Sequence, residues 1–544
     1  MIKGWRSRLH YWSRRGHAVK KTACIIVLGG FAIAWIIVQL TPDHGPSVSM
    51  DPMEQKVRND WQSLRAASEP RPREMALWLR QMLPNVQALA DILGMEPPTW
   101  AGFEKSGELL AFQVRPLITQ HAVTPETQKL LLDYIAGCLA QKEPIGIEAT
   151  QRIRDQAQQE KPIQLANELH ASLLLRTNHD ADALAAMMRE TTLFADAAPA
   201  RETATRLAIK LKDDASLRQI VSAGWLSGLP PIMEHLIGLQ LRDLIMQWRG
   251  LLRHRLETLP YHALAVAALA ALLWYIILVQ HTPDQSWRWS WPIAPIVAGI
   301  ASIWPTITLS AWQQNVMGIV DDVPFPMDLW HLIIGVGLRE ELCKLALASL
   351  FMPWLVWRRA PGMALMTGAF VGLGFALEEN IDYYQDYGDG VALVRFLSAN
   401  FLHVAMTGLT THALYDMLRS RFHRAQQFII TFFTIVIAHA IYDYDPPQIT
   451  GLGGYVPMLI LAFVAWQFWD HVEAEMPHSR QLISPAAIFL IGTALVIAAS
   501  FLLSAFQTPT REALIGTAMQ CVSFLPIAVI YWRRFERDIT GSRS

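Results

Sequence analysis

The chain has 544 residues, of which 52% are hydrophobic and 17% charged, and its formal net charge is −1. A mean hydropathy of +0.22 indicates a polytopic membrane protein with a soluble portion, and the near-neutral charge excludes a nucleic-acid-binding protein. Three of the four cysteines lie in apolar segments. Cys138 therefore has no intrachain partner in the soluble portion, which excludes a disulfide framework there.

The N-terminal segment predicts a membrane anchor. Residues 1–21 form a basic head, and residues 22–40 form an apolar run that is too long for the core of a signal peptide. Because a basic flank stays on the cytoplasmic side, we expect an uncleaved anchor with its N-terminus in the cytoplasm.

Residues 41–260 predict a soluble α-helical domain. The segment has no apolar run long enough to span a bilayer, and apolar residues recur at helical spacing in stretches such as 127–141 and 163–175. Residues 172–189 are typical of a helix-turn-helix unit, but without a consistent period they do not predict a solenoid.

Residues 261–535 predict a multi-span membrane domain, followed by a short cytoplasmic tail at 536–544. Nine apolar segments are long enough to cross a bilayer, and with the anchor they give about ten spans. The predicted fold is an all-α polytopic bundle with the soluble domain between spans 1 and 2. The nine segments are 262–280, 291–311, 329–357, 362–382, 394–417, 427–444, 452–470, 482–505 and 511–532.

The charges of the loops predict the orientation of the spans. Basic clusters occupy alternate connections, and the loops between them are acidic or neutral. By the positive-inside rule we expect a bacterial inner-membrane protein with residues 41–260 outside the cytoplasm. The basic residues are Arg358, Arg359, Arg419 to Arg424, Arg480 and Arg533 to Arg537; the acidic ones are Asp321, Asp322, Asp382 to Asp389 and Asp443 to Asp445.

Two adjacent glutamates and a lysine lie inside the predicted span 329–357. A central acidic residue costs at least about 2.5 kcal/mol to insert, so Glu340 and Glu341 must face a partner, a cavity or a reaction. Lys344 lies one turn further along the helix. It is placed to neutralise the pair, to bind an oxyanion or to form a structural ion pair.

Further polar groups recur on the next three spans. Each would bring a carboxylate, an imidazole or a guanidinium to bilayer depth. Four polar groups on four successive spans favour one shared site over separate interhelical contacts. The residues are Phe375, Glu379 and Asn380 on the first of these spans, Arg395 and His403 on the second, and His439 and Asp443 on the third.

A second histidine–aspartate pair, His412 and Asp416, resembles His439 and Asp443 in sequence. His412 is nine residues from His403, about 180° around an ideal helix, so these two histidines cannot face one cavity. The second pair also lies near the cytoplasmic end of its span, where polar residues are common. We therefore assign His403 to the site and His412 to a structural role.

The depth of these residues predicts where the site opens. At about 1.5 Å per residue, Glu340 lies about 16 Å, His403 about 13 Å and His439 about 7 Å below the outer edge of its span. Glu379 lies nearer the outer rim. All four residues are in the outer half of the bilayer, so we expect one cavity that opens to the outside.

The four motifs together resemble the PrsW family of intramembrane proteases, within the superfamily of CAAX prenyl endopeptidases and bacteriocin-processing enzymes. The motifs are EExxK, FxxxEN, an arginine followed by a mid-span histidine, and HxxxD, and the resemblance covers about residues 291–470. It implies a protease that cuts membrane-anchored proteins on the extracytoplasmic side, because the family's prototype cuts an anti-sigma factor there.

The chemistry of peptide hydrolysis assigns roles to these residues. The reaction needs a base for water, a donor for the oxyanion and an acid for the leaving amine. Either residue of the glutamate pair suits the base. His403 and His439 suit the other two roles, and Asn380 or Asp443 would orient these partners.

A divalent metal such as zinc is an alternative to a metal-independent reaction. Glu379, His403 and His439 offer the carboxylate and imidazole ligands that suit zinc. The sequence has no HExxH pair, and the glutamate-dependent enzymes of the superfamily need no metal. We therefore favour metal-independent hydrolysis.

Two other functions use the same residues. In a proton- or cation-coupled transporter, the acids and histidines would relay protons or bind a cation at bilayer depth. Such a protein is expected to have repeated halves, and the sequence has no second EExxK. A non-catalytic sensor would instead use the exported domain to bind a partner.

Overall fold

The computed structural model describes residues 2–40, 52–83, 114–283, 288–319, 323, 326–387, 391–444, 455–476, 481–507 and 510–540. Within these ranges the regular structure is helical and contains no β-strand, which confirms the all-α fold. The loop residues Asp321, Asp322, Asp389, Asp445 and Arg480, used above to predict orientation, lie outside the described residues.

The chain divides into two compact units. One unit comprises Met1–Pro46 and Leu259–Ser544, and the other comprises Ser47–Thr258. In the first unit, helix α1 (Ile2–Ser13) carries the basic head and helix α2 (Gly16–Leu40) carries the apolar anchor. The exported location of the second unit stays a prediction.

The second unit is a series of short amphipathic helices joined by tight turns, so that consecutive helices pack against each other. Residues 114–121 are also helical. The remaining helices are α3 (Pro52–Ala66), α4 (Pro72–Met82), α5 (Pro125–Leu139), α6 (Pro144–Gln158), α7 (Ala166–Arg176), α8 (Asp180–Leu193), α9 (Ala198–Leu211), α10 (Asp214–Ser222), α11 (Pro231–Leu241) and α12 (Leu244–Thr258).

Local sequence determines where these helices begin and end. The hydroxyl of Thr124 accepts a hydrogen bond from the backbone N–H of Thr127 at 3.2 Å and caps α5. Helices α9 and α11 both end in a left-handed residue, Lys212 and Arg242, whose φ angles are 54° and 59°. This left-handed residue closes the last turn and reverses the chain into the next helix.

A buried ionic network ties together the N-terminal and central helices of this unit. The guanidinium of Arg73 donates to Glu168 at 3.1 Å, to Glu190 at 3.2 Å and to Asp196 at 2.9 Å. Burial raises the pKa of Glu190, whereas the hydrogen bond from Arg73 lowers the pKa of Asp196. Removing one partner would leave a buried charge uncompensated, at a cost of about 3–5 kcal/mol.

The membrane unit continues from α12 with helices of very different length. Two π-helical turns, Gln313–Met317 and Ile333–Leu338, interrupt this series. The helices are α13 (Tyr261–Gln280), α14 (Ile293–Trp312), α15 (Met327–Leu332), α16 (Arg339–Ser349), α17 (Met352–Arg358), α18 (Pro361–Tyr387), α19 (Ala392–Leu397), α20 (Ala399–Arg419), α21 (Ala425–Asp443), α22 (Tyr455–Glu475), α23 (Pro485–Gln507), α24 (Thr510–Ser523) and α25 (Leu525–Thr540).

The described residues contain seven helices long and apolar enough to cross a membrane, or eight if the bent pair α24–α25 is one span. All ten predicted segments coincide with helices, but two of them do not meet this criterion. Segment 329–357 is broken into α15, a π-helical turn, α16 and α17, and α22 ends in acidic residues. A multi-pass membrane bundle is established, and the exact number of spans stays a prediction.

Helix α18 lies at the centre of the bundle because its glycines allow two neighbours to approach closely. A Cβ atom at Gly374 would lie 2.1 Å from the carbonyl oxygen of Ile296 on α14. A Cβ atom at Gly372 would lie 2.1 Å from the carbonyl oxygen of His403 on α20. Small residues at such interfaces let helix backbones pack directly, and here they bring α20 against α18 at His403.

Candidate active site

The glutamate pair follows directly after a distorted helical turn. The π-helical turn Ile333–Leu338 runs into α16, whose first turn contains Glu340 and Glu341. A Cβ atom at Gly337 would lie 2.5 Å from the carbonyl oxygen of Val436, so this turn packs closely against α21. Single π-helical turns often occur at functional sites, and this one aims the carboxylates at α21.

The two glutamates differ in their contacts although they are adjacent in sequence. Oε1 of Glu341 lies 2.6 Å from the ammonium of Lys344, and Oε2 of Glu340 lies 3.7 Å from the same group. All three side chains are buried. On each glutamate, Oε2 has no hydrogen-bond partner among the described residues. Each carboxylate therefore keeps one oxygen that a water molecule, a substrate or a cation could bind.

His439 of α21 lies between three carboxylates. Its Nδ1–H donates to Oε1 of Glu341 at 2.8 Å, and its Nε2 lies 3.3 Å from Asp443 and 3.7 Å from Oε2 of Glu340. Asp443 is one turn further along α21, and its side chain is 30% exposed. His439 is thus fixed on one side by Glu341, and its second nitrogen points towards the free oxygen of Glu340.

His403 of α20 connects the lysine to a second carboxylate. Lys344 donates to Nδ1 of His403 at 3.0 Å, so the Nε2–H is the group that donates to Glu379 at 2.9 Å. The ring of Phe375 lies 5.2 Å from the ring of His403 and 4.3 Å from the lysine ammonium. These contacts hold His403 as a neutral imidazole with a defined tautomer.

Arg395 closes the network at the end away from the glutamate pair. Its guanidinium donates to both Glu379 and Asn380, and it lies 3.6 Å from the ring centroid of Tyr383. The amide of Asn380 donates in turn to Asn400 on the first turn of α20. Arg395 therefore positions Glu379, which in turn orients His403.

All the site residues predicted from the sequence meet in this single network. Sequence reasoning missed Asn400 and Tyr383, which contact Asn380 and Arg395. Neither has a motif spacing that could have revealed it. Thr407, one turn beyond His403, is buried, and its hydroxyl has no hydrogen-bond partner in the described part of the chain. The residues brought together are Glu340, Glu341, Lys344, Phe375, Glu379, Asn380, Arg395, His403, His439 and Asp443.

The second histidine–aspartate pair lies outside this network. His412 faces His471 and Glu475 of α22, with ring centroids 5.4 Å apart and 3.5 Å between Nε2 and the carboxylate. Asp416 pairs instead with Arg424 at 2.6 Å. His412, Asp416 and His471 line a separate cavity between α20, α21 and α22.

Part of the membrane unit matches a known protein family. Residues 285–468 match the model of the PrsW family intramembrane metalloprotease. The match contains every residue of the network and confirms the resemblance of the four motifs. It supports a membrane protease function and therefore membrane-protein substrates. No curated protein and no solved structure matches the chain.

The matched family is described as a metalloprotease, and three residues of the network fit a metal. Glu340, His403 and His439 each offer a ligand atom, these atoms lie within 4.8 Å of one another, and all three residues are buried. Carboxylate and imidazole ligands suit zinc, and the free Oε2 of Glu340 suits a cation. Because both nitrogens of His403 are hydrogen-bonded, cation binding would exchange one of these bonds.

The charges of the network also fit a divalent cation. Lys344 and Arg395 are the cations, and the four carboxylates of Glu340, Glu341, Glu379 and Asp443 outnumber them by two. An excess of two negative charges in a buried site is costly unless protons or a cation neutralise it. The carboxylate that groups with the two histidines is Glu340, whereas Glu379 is held by Arg395.

Proposed function

We propose that the network around Glu340 and Glu341 hydrolyses peptide bonds of membrane-anchored proteins. The observation that supports this proposal best is the pair of free carboxylate oxygens beside two imidazoles, inside the region that matches the PrsW family. Hydrolysis needs a proton acceptor beside the attacking water and donors near the carbonyl oxygen. The network offers both kinds of group within one buried cluster.

The contacts of the two glutamates support different roles for them. Oε1 of Glu341 accepts from both Lys344 and His439, which keeps Glu341 anionic and fixed in orientation. Glu340 makes only longer contacts, at 3.7 Å to Lys344 and to His439, so it is the stronger proton acceptor. In a metal-free reaction Glu340 would take the proton from water, and Nε2 of His439, after receiving that proton from Glu340, would return it to the leaving amine.

A divalent cation changes one of these assignments. Glu340, His403 and His439 would hold it, and when bound it would supply an acidified water and polarise the substrate carbonyl. The free Oε2 of Glu341 is then the carboxylate oxygen left to accept the proton. The family description favours this form over the metal-independent form that we favoured from the sequence, and the excess of two negative charges is compatible with it.

Metal analysis separates the two forms. The purified protein, freed of adventitious ions by dialysis, is analysed by inductively coupled plasma mass spectrometry beside His439→Ala. The cation form predicts one divalent metal per chain, lost in His439→Ala, and inhibition by 1,10-phenanthroline that added zinc reverses. A metal-free protein with full activity would leave Glu340 as the base.

We also propose that the site opens to the extracytoplasmic side. His403 is in the first turns of α20, whereas His439 and Glu379 are nearer the ends of α21 and α18. The basic residues Arg358 and Arg424 lie at the opposite ends of these helices. The positive-inside rule puts those basic ends in the cytoplasm. Reporter fusions at Glu190 and Ser544 test this orientation, and a cytoplasmic signal at Glu190 would refute it.

The cleavage itself is tested with enrichment of new protein N-termini. Membranes from cells that express the wild-type chain are compared with membranes from cells that express Glu340→Gln. The proposal predicts new N-termini near or within membrane segments in the wild type only. A transporter or a non-catalytic sensor would give identical N-termini in both samples.

A further inference from the structure

Helix α12 carries an apolar stripe that is largely exposed. Ile245, Trp248, Leu252 and Leu256 recur every three or four residues and therefore share one helix face. Their exposed fractions are 81%, 49%, 48% and 65%. Single exposed apolar residues are ordinary on a protein surface, whereas a continuous stripe of four indicates an interaction surface.

The opposite face of α12 explains why this stripe is not part of the core. Met246, Gln247, Gly250 and Leu251 are buried against the preceding helix α11. A Cβ atom at Gly250 would lie 2.4 Å from the backbone nitrogen of His235, so the two helices are already in close contact. The core face of α12 is therefore complete, and the stripe faces away from it.

Arginines border the stripe on both sides. On a helical projection with 100° per residue, Arg249 and Arg253 lie along one edge of the stripe and Arg255 lies along the other. Arg249 and Arg253 are partly exposed and pair with Glu234 beneath them. An apolar stripe that contains a tryptophan and is edged by arginines is the pattern of a helix lying in a membrane interface.

The chain connection identifies the occupant as the lipid bilayer. Helix α12 ends at Thr258, and the membrane span α13 begins at Tyr261. Two intervening residues reach at most about 10 Å, so the end of α12 must lie near the membrane surface. A membrane interface also explains Arg249, Arg253 and Arg255, whose charge opposes the positive-inside pattern if the unit is exported. Arginines at an interface contact lipid phosphates on either side of a membrane.

We propose that α12 lies in the bilayer interface, with the face formed by Ile245, Trp248, Leu252 and Leu256 inserted among the lipids and its arginines on the phosphates. Each apolar side chain that leaves water contributes in proportion to its buried area. The helix then docks its unit on the lipid surface through a second contact besides the covalent connection. This inference does not depend on the proposed protease activity.

The test uses spin labels on the full-length chain in liposomes. Cys24 and Cys521 are replaced by alanine, because the other two cysteines are buried and unreactive. Single labels are then placed at Ile245→Cys and Leu252→Cys. The control label is at Ile147→Cys on α6, a residue of the same unit that is 57% exposed on another helix.

Collision rates with oxygen and with a water-soluble nickel chelate report where each label lies. The proposal predicts that oxygen collides more often than nickel at Ile245→Cys and Leu252→Cys, and less often at Ile147→Cys. Adding Leu252→Glu to Ile245→Cys should return that label to water without changing the circular dichroism spectrum. Nickel access at both positions like that of the control would overturn the proposal. Labels shielded from both reagents would also overturn it, because a protein would then cover the stripe.

The arginines are tested by lipid composition. Labels at Ile245→Cys and Leu252→Cys should lie deeper in liposomes of phosphatidylcholine with phosphatidylglycerol than in phosphatidylcholine alone. Equal depth in both would refute the role of the arginines.

Discussion

The membrane unit contains two almost identical pentapeptides, HALYD from His412 to Asp416 and HAIYD from His439 to Asp443, in different surroundings. His439 faces Glu340 and Glu341 and is almost completely buried. His412 lies beside His471 and Glu475, and Asp416 is drawn away by Arg424. The same local sequence thus joins the candidate site in one place and makes a contact with α22 in the other.

This difference shows that the neighbouring helices create the site. Glu340 and Glu341 reach His439 because Gly337 lets the preceding helical turn approach α21. A histidine four residues from an aspartate supplies only an oriented imidazole. The chemistry requires free carboxylate oxygens beside that imidazole, and α22 offers His412 a single, partly exposed carboxylate.

The largest effect on the cleavage rate is expected from the two glutamates beside His439, compared with the glutamate beside His412. Glu340→Gln and Glu341→Gln should each lower the cleavage rate by about 10²–10⁴-fold, because an amide keeps the shape but can neither accept a proton nor hold a cation as a carboxylate does. Glu475→Gln is the matched control beside His412 and should keep the wild-type rate. Rates are measured with the purified protein in nanodiscs and a substrate found by N-terminal enrichment. Equal losses of cleavage rate in all three variants would contradict the distinction between the surroundings of His439 and those of His412.

The two histidines give the next largest contrast. His439→Ala should lower the rate by about 10²-fold or more, since it removes the imidazole beside Glu340. His412→Ala should leave the rate close to that of the wild type. His403→Ala should behave like His439→Ala. An inactive His412→Ala with a tolerated His403→Ala would show that the wrong histidine of α20 was assigned to the site.

The two arginines that pair with carboxylates should also differ, with the larger loss of stability and cleavage rate for the arginine of the candidate site. Arg395 is mostly buried, so Arg395→Ala leaves Glu379 without its cationic partner, at a cost of about 3 kcal/mol, and loosens the orientation of His403. Arg424 is 56% exposed, so Arg424→Ala should cost less than about 1 kcal/mol. Thermal unfolding and cleavage rate are measured together, and Arg395→Lys should recover part of both. A larger loss in Arg424→Ala would contradict this ranking.

The packing that positions His403 can be changed without touching a polar group. Gly372→Ala places a Cβ atom against the carbonyl oxygen of His403 and should cost about 1–3 kcal/mol of stability through overpacking. Gly29→Ala on α2 is the control, since no described atom lies within 4 Å of its new Cβ atom. Unchanged unfolding of Gly372→Ala would mean that α18 and α20 are less tightly packed than described.

The smallest effect on the chemistry is expected from deleting most of the second unit. We propose that this unit selects substrates by binding their external segments and takes no part in bond cleavage. Replacing residues 51–249 with a flexible linker should leave cleavage of a short membrane-embedded substrate unchanged, but should alter which full-length proteins are cut. Complete loss of hydrolysis in a stably inserted deletion would refute that division of labour.

The sequence predicts which residues form the membrane site, but it does not predict their individual contacts. Spacing and depth were sufficient to bring Glu340, Glu379, His403 and His439 into one site, because α-helical geometry fixes which residues share a face. Spacing and depth do not distinguish the role of Glu340 from that of Glu341. That difference depends on which carboxylate oxygen accepts from Lys344 and His439 once the helices are packed. The absence of an HExxH pair favours a metal-free site, and the sequence offers Glu379 as the carboxylate ligand of a possible metal. In the structure Arg395 holds Glu379, and Glu340 is the carboxylate that groups with His403 and His439.

Other features needed the folded chain. Asn400 and Tyr383 join the network through contacts between helices that no motif marks. The π-helical turn Ile333–Leu338 breaks a segment that the sequence predicts as one span, because apolarity reports burial and says little about helix continuity. The apolar stripe on α12 is distinguished from a core face only in the folded chain, where the opposite face of the helix is buried.

The most direct measurement of the central claim follows the oxygen of water into the product. A purified single-pass substrate is incubated with the protein in nanodiscs in water enriched with oxygen-18, and the new C-terminus is analysed by mass spectrometry. The wild type and Glu475→Gln should each place one oxygen-18 atom in the new carboxylate, and Glu340→Gln should form this labelled product at least about 10²-fold more slowly. Labelled product formed by Glu340→Gln at the wild-type rate, or its absence from the wild type, would contradict hydrolysis at this network.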